Sequence, residues 1–302
     1  MILKKRDRIL EVFDYLDCDK FEGKDHVGIN IIDKNISKYK TLWKVIAFIS
    51  NIAFVLQCFV PIILYLIGRK NVELPVSQYY FLSEDLRSDY YLVLALYQNL
   101  GIYGHMTYNV NIDTFIAGMI IMTIAQLKVL KHKFSTMELD QAKINSSENI
   151  SKLNQILRHY ESIIEYSNIV QDIISLTMFV QFCMGTCIIC VVALLMVSST
   201  ESFIIMASYS FVMVMQIFLP AYLGTQLTYE SQELAHAAYS TDWIPQSEPY
   251  KRSLRLFVER ANTPIVFTGL KMFPLALSTF VSIIKMTYSI FALVRKVQDR
   301  EM

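Results

Sequence analysis

Residues 278–291 read Ser278-Thr279-Phe280-Val281-Ser282-Ile283-Ile284-Lys285-Met286-Thr287-Tyr288-Ser289-Ile290-Phe291. The stretch is apolar enough for a bilayer, yet it carries a lysine and a row of hydroxyls. An ammonium at the bilayer centre costs roughly 3 kcal/mol on insertion scales, so it must be paired or wet. A helix that only anchored the chain in lipid would have no use for these groups. This one reads as a helix facing protein or water inside a membrane assembly. Upstream of it lies a soluble, amphipathic linker: Leu227-Thr228-Tyr229-Glu230-Ser231, then Ala238-Tyr239-Ser240-Thr241-Asp242-Trp243, then Lys251-Arg252, Arg260, Pro264 and Lys271.

Composition points the same way. Of 302 residues 54% are apolar and 13% aromatic, with only 9 Gly and 7 Pro. Mean hydropathy is +0.36, which places the chain in the membrane class. The formal net charge is +1, so no global basic field exists for nucleic acid. Cys18, Cys58, Cys183, Cys187 and Cys190 form neither a disulfide framework nor a zinc spacing; Cys183 and Cys187, at i and i+4, read as small packing residues. Residues 1–40 are charged and lack a small-residue cleavage site, so no signal peptide is read there.

About 20 apolar residues cross the hydrocarbon core. Val45–Gly68 qualifies without a charge, and Tyr90–Leu127 carries only Asp113. Ile173–Thr200 and Ser202–Tyr229 are uncharged, the second with Pro220 as an expected kink. The fifth and weakest, Ile265–Val294, is interrupted by Lys271 and Lys285. The fold class expected is therefore all-α: a polytopic membrane helix bundle of five spans with a cytosolic helical region. Its segments are 1–43 as a cytosolic amino-terminal loop, 44–225 with four helices and a cytosolic loop at 128–171, 226–262 as cytosolic helices, 263–297 as the last helix, and 298–302 as an extracellular tail.

Lysine and arginine orient these spans. Segments 1–44, 128–158 and 251–260 hold twenty of them, whereas the opposite side holds six: Arg69, Lys70, Arg87, Arg295, Lys296 and Arg300. The amino terminus is expected inside and the carboxyl terminus outside. The glycosylation triplets at Asn35, Asn145 and Asn149 then fall inside and are expected to stay unused.

The cytosolic parts carry amphipathic patterns. In 151–171, Leu153, Ile156, Leu157, Tyr160, Ile163, Ile164 and Ser167 recur at helical spacing. Residues 229–239 continue the fourth span, with Glu230, Glu233 and His236 as polar members, until Pro245 and Pro249 break the helix. Residues 251–261 resume with Leu254, Leu256, Phe257 and Val258 as apolar members. Such faces are buried in a helical domain below the membrane, or they form short helices in a solvated loop.

From Gln216 to Leu293 the chain resembles the insect odorant receptor family. Tyr229-Glu230-Ser231, Ala238-Tyr239 with Trp243, Lys251-Arg252, Pro264, and the series Phe280, Lys285, Tyr288-Ser289 and Phe291 are similar to the family's order and spacing. Upstream echoes are Leu74-Pro75 with Tyr79-Tyr80-Phe81, Tyr97-Gln98 and Asp113. Thr287-Tyr288 is followed, after five residues, by Val294-Arg295 where the gustatory sister group has Gln-Phe, which favours the odorant branch.

The family has seven membrane helices, and the five read here resemble its third to seventh. The sequence is then an incomplete gene model or fragment, which is preferred, or a degenerate receptor. The resemblance implies a subunit that binds a small volatile odorant and assembles with an obligate co-receptor, as a hetero-oligomer expected to be a tetramer. The assembly is a ligand-gated, non-selective cation channel in the plasma membrane of olfactory neurons.

Carried over, Ser289, Ile290, Leu293, Lys296 and Val297 line the pore. Leu293 and Val297 form a hydrophobic constriction there, or else face lipid. Tyr239, Trp243, Arg252 and Lys271 are expected at subunit contacts, and Lys271 could instead snorkel. The odorant pocket would draw on Phe54, Cys58, Phe59, Tyr97, Gly101, Tyr108 and Tyr209, residues that equally suit bundle packing. Asp113 is a structural hydrogen-bond acceptor or an ion site.

Other classes find little in the sequence. His26, His105, His132, His159 and His236 have no metal-ligand spacing with a second His or Cys, and no phosphate loop or nucleophile elbow occurs, so neither an enzyme nor a cofactor is expected. A G-protein-coupled receptor would place its amino terminus outside. A transporter would show paired interrupted helices in two related halves. The remaining rivals are a gustatory receptor of the same superfamily and a truncated, non-conducting subunit.

Overall fold

The computed structural model describes residues 5–16, 21, 25–68, 74, 76–77, 79, 82–137, 147–198 and 203–301. In chain order these form α1 (Arg6–Leu16), α2 (His26–Leu66), α3 (Glu84–Asp89), α4 (Tyr91–Ser135), α5 (Ser147–Ser198), α6 (Phe203–Tyr239), α7 (Glu248–Ala261), β1 (Thr268–Gly269), β2 (Phe273–Pro274) and α8 (Leu277–Glu301). Among the described residues, α2, α4, α5, α6 and α8 are long and apolar enough to cross a bilayer. The fold is an all-α membrane helix bundle.

Four of these helices run far past a single crossing, at 41, 45, 52 and 37 residues for α2, α4, α5 and α6. The extra length changes two readings of the sequence. Part of segment 1–43, read as a loop, forms α1 and the first turns of α2. The loop read at 128–171 is helical up to Ser135 and again from Ser147. α2 and α6 continue through Pro61 and Pro220, as membrane helices tolerate when neighbours satisfy the freed carbonyl.

The last helix also differs. It begins at Leu277 rather than near 263–265, because residues 268–274 form an antiparallel hairpin pairing Thr268 with Pro274 and Gly269 with Phe273. Pro264 precedes this stretch and Pro274 ends it, and neither can donate into a helical ladder. At the turn, Leu270 and Lys271 take φ of 48° and 59°, and Met272 donates its backbone N–H to the Gly269 carbonyl at 2.9 Å. Two consecutive left-handed residues define a type I′ turn, which Asn-Gly usually fills. Leu-Lys gives no such signal, so the hairpin is invisible to turn chemistry.

By packing, the chain divides into two units, residues 1–40, 116–184 and 217–283, and residues 41–115, 185–216 and 284–302. The first has an aromatic core. Phe257 of α7 lies 5.0 Å from both Phe134 of α4 and Tyr160 of α5, ring centre to ring centre. Leu153, Ile156, Tyr160, Ile163 and Ser167 are buried on α5, as their spacing predicts, with Leu157 and Ile164 half-buried. On α7 the buried stripe is Tyr250, Leu254, Phe257 and Ala261. Leu256, expected in that face, is 60% exposed, since it falls between the i, i+4, i+7 and i+11 positions that meet α4 and α5.

α1 belongs to the same unit. Val12 is buried, Tyr15 donates its hydroxyl hydrogen to Glu165 Oε2 at 2.8 Å, and Phe21 packs 5.2 Å from Tyr166. Asn35 and Asn149 are buried here, their amides donating to the Ile31 carbonyl and to Gln246 Oε1, which leaves neither open to a sugar. Asn145 lies outside the described residues.

In the second unit Tyr65 of α2 stacks on Tyr91 of α4 at 4.2 Å, beside Leu74 and Ala95. Gln98 holds the preceding loop: its Oε1 accepts from Val76 N–H and its Nε2 donates to the Ser77 carbonyl. Phe257→Ala is expected to cost about 3–5 kcal/mol by emptying the aromatic core of the first unit. Leu256→Ala should stay within about 0.5 kcal/mol. Thermal unfolding of the detergent-solubilised chain measures both.

Candidate functional site

The root of α8 is fixed by side chains of α5 and α6, all within the first unit. Gln171 of α5 grips Thr268 from both sides: Oε1 accepts its N–H at 2.8 Å, while Nε2 donates to its carbonyl at 2.9 Å and to its hydroxyl oxygen at 3.1 Å. Ser175 Oγ accepts from Leu270 N–H at 3.0 Å. From α6, Ser231 Oγ accepts from Ile265 N–H and Thr225 Oγ1 from Leu277 N–H. Thr225 therefore satisfies one of the orphan donors at the start of α8. Phe273 stacks between Phe179 and Phe182 at 5.8 and 5.4 Å.

Gly224 completes the joint. A methyl group there would collide with the Leu275 carbonyl oxygen and lie 2.8 Å from Leu275 Cβ, so only glycine admits the hairpin against α6. The sequence contained one signal for this contact. Thr225, Thr228 and Ser231 recur every three residues on one side of α6, a row of hydroxyls with backbone to bind. Gln171 offered no such pattern.

A polar layer surrounds the core of this unit. Glu230 of α6 is buried, with Lys131 Nζ at 2.8 Å and Lys128 Nζ at 3.4 Å. Glu230 is one of the polar members expected of this helix, and its burial follows from the two α4 lysines set against it. His159, nearly fully buried, sits between Gln126 Oε1 at 3.0 Å from Nε2 and Lys133 Nζ at 3.2 Å from Nδ1. Gln126 donates its amide to the Phe21 carbonyl, which orients its oxygen toward the ring. The neutral Nε2–H tautomer satisfies both neighbours. Burial, and then the Lys133 ammonium, hold the imidazole down from 6.5 to about 3.

The remaining residues singled out from the sequence fall on several surfaces. Of the expected pocket residues, Cys58 is buried and accepts at its carbonyl from Asn99 Nδ2 at 3.4 Å. Half-buried Phe54 lies 6.3 Å from Phe59 and 5.4 Å from Tyr103, an aromatic the reading did not include. Tyr209 is half-buried on α6. Tyr97, Gly101 and Tyr108 are exposed along α4. Asp113 is half-buried. Cys183 and Cys187 are exposed on α5 rather than packed.

Tyr239 and Trp243 meet at 5.5 Å, with Trp243 Nε1 donating to the Tyr239 carbonyl. Arg252 is exposed on α7, and Lys271 at the hairpin turn. On α8, Ser289, Ile290, Leu293, Lys296 and Val297 are all exposed, and only 6% of its most apolar window is buried within the chain. Lys285 is exposed too, with no carboxylate partner among the described residues.

These features define a multi-pass, all-α membrane protein whose last helix is tied down at its root and exposed over much of its surface. The chain belongs to the 7tm odorant receptor family, whose model matches residues 1–288. Relatives include odorant receptor 67c of Drosophila melanogaster, 27% identical over 196 residues covering 64% of this chain and 48% of that protein. Putative odorant receptor 92a of the same fly is 22% identical over 281 residues, covering 91% and 68%. Odorant receptor 10 of Aedes albopictus is 26% identical over 191 residues, covering 62% and 50%. The chain thus spans about half the length of two of these relatives.

The fold matches the insect olfactory receptor OR5 of Machilis hrabei, in complex with eugenol, with a TM-score of 0.84 at 18% identity over 96% of this chain and 74% of that one. A second OR5 structure gives 0.84 at 19%.

Gln171→Leu leaves the Thr268 N–H and carbonyl unmatched and is expected to cost about 2–3 kcal/mol, read as a lower thermal midpoint. For His159 the pH dependence has a definite sign. The unfolded chain takes up a proton near pH 6.5 while the folded one does not until about 3. Stability therefore falls as pH drops through this window, by at most about 1.4 kcal/mol per pH unit. His159→Gln should remove that one-proton slope in thermal unfolding measured from pH 7 to 4.

Proposed function

We propose that the chain is an odorant receptor subunit that binds small volatile ligands and forms, with a co-receptor, a ligand-gated, non-selective cation channel in the plasma membrane. The exposure of α8 carries this reading. An apolar helix with 6% of its window buried in its own chain needs lipid or another subunit around it, and lipid does not suit the exposed Lys285. A neighbouring subunit or a water-filled pore suits both the ammonium and the hydroxyls.

In this reading Leu293 and Val297, one turn apart, form the constriction that closes by dewetting. Ser289, Ile290 and Lys296 share the pore wall. Lys296 opposes cation flow there unless the co-receptor's residues dominate. Tyr239, Trp243, Arg252 and Lys271 hold subunits together on the cytosolic side. The odorant sits among Phe54, Cys58, Phe59, Tyr97, Gly101, Tyr108 and Tyr209, where dispersion and desolvation supply affinity. The OR5 complex with eugenol supports a small ligand. The charge bias supports a cytosolic amino terminus and an extracellular carboxyl terminus.

Co-expression with the co-receptor should give odour-evoked cation current. A chain that reaches the surface yet never alters current or ligand response overturns the reading. Replacing Leu293 and Val297 together by Ser should raise the ligand-free current several-fold by wetting the constriction, measured in the same recordings. A carboxyl-terminal tag unreachable from outside intact cells would reverse the orientation.

A further inference from the structure

We propose that a cleft between α2, α4 and α6 in the first unit binds a phosphoryl-bearing polyanion. The cavity measures about 520 Å³, within the roughly 300–1,000 Å³ typical of small-molecule sites. Four lysines line it, Lys34 and Lys38 from α2 and Lys128 and Lys131 from α4, with Glu230 from α6 as the one acid among the described residues. Three net positive charges remain, and His132 on the wall adds a further nitrogen donor.

The arrangement is unfavourable without a ligand. Glu230 already pairs with both α4 lysines. Lys34 and Lys38 stand exposed at i and i+4 and have no ion pair among the described residues, a spacing at which like charges repel. A single carboxylate or chloride would match one of these ammonium groups. A group with several phosphoryl oxygens would match α2 and α4 together, and lysine serves phosphate as a compact point charge.

The cleft also has a defined place along the chain. Lys128 directly follows the apolar stretch ending at Leu127, and Lys38 lies about two helical turns before Val45. With the spans read from the sequence, Lys128 falls at the edge of the bilayer and Lys38 about 10 Å beyond it, on the aqueous side. An inositol phospholipid headgroup and a soluble inositol polyphosphate share the chemistry the cleft selects. If the orientation proposed above holds, the cleft faces the cytoplasmic leaflet, where anionic lipids attract such clusters.

The test uses the full chain in detergent micelles, where the side of the membrane, the co-receptor and the odorant play no part; failure here leaves the channel reading untouched, and the reverse. Native mass spectrometry and calorimetry would follow two probes, inositol 1,4,5-trisphosphate and short-chain phosphatidylinositol 4,5-bisphosphate, with phosphatidylcholine and phosphatidylserine as controls. Saturable binding of either phosphoryl probe is expected, well above both controls. Comparable binding of the two probes identifies the phosphoryl head alone as the ligand, and binding of the lipid only identifies a membrane lipid.

The double variant K34Q/K38Q should weaken binding at least tenfold at an unchanged melting temperature. K34R/K38R should restore it, and K152Q/R255Q, outside the cleft, should leave it as in the parent chain. Absence of saturable binding, binding no better than phosphatidylserine, or full binding by K34Q/K38Q overturns the proposal.

Discussion

Gln171 bonds the backbone of one residue, Thr268, at its donor, its acceptor and its hydroxyl at once. A hairpin of two residues per strand cannot satisfy its own polar backbone, and buried groups left unpaired cost about as much as the hairpin could gain. α5 and α6 therefore supply what the short ladder lacks, through Gln171, Ser175, Ser231 and Thr225. Everything beyond Leu277 begins from that joint. Because the joint is held by side chains of two other helices, the start of α8 does not depend on full burial of that helix for its place.

The Tyr166 hydroxyl is buried without a hydrogen-bond partner among the described residues. Several other buried polar groups of the first unit are matched by a specific neighbour: Glu230 by two lysines, His159 by Gln126 and Lys133, and the Asn149 amide nitrogen by Gln246. This separates the root region from the open face of α8, where Lys285 finds no carboxylate among the described residues of its own chain. Lys34 and Lys38 on α2 are likewise exposed and without an ion pair among the described residues.

Much of the architecture was legible in the sequence, because a crossing helix needs a long uncharged run and an amphipathic helix needs a periodic one. The spans, the buried face of α5 and the family resemblance at Tyr229-Glu230-Ser231 rest on such local patterns. What escaped depended on distant neighbours. Leu256 and Leu254 are both leucines, and only the positions of Phe134 and Tyr160 decide which is inside. Glu230 reads only as a polar member of its helix until Lys128 and Lys131 of α4 are placed against it. The hairpin at 268–274 uses Leu-Lys where turn chemistry prefers Asn-Gly, so its cause lies in Gln171 and Ser175, nearly a hundred residues earlier. Burial of the aromatics was equally hidden, since the exposed Tyr97 and Tyr108 look no different in sequence from the buried Tyr91 and Tyr166.

The contact of Gly224 with Leu275 has a mechanical meaning. It is a notch in the surface of α6 where one side chain is missing. The Leu275 carbonyl fits there because a Cβ at Gly224 would fill the space. The hairpin is thus seated on α6 at the notch, and the bonds from Gln171, Ser175, Ser231 and Thr225 set its orientation there. The first turn of α8 therefore takes its position from the absence of one side chain.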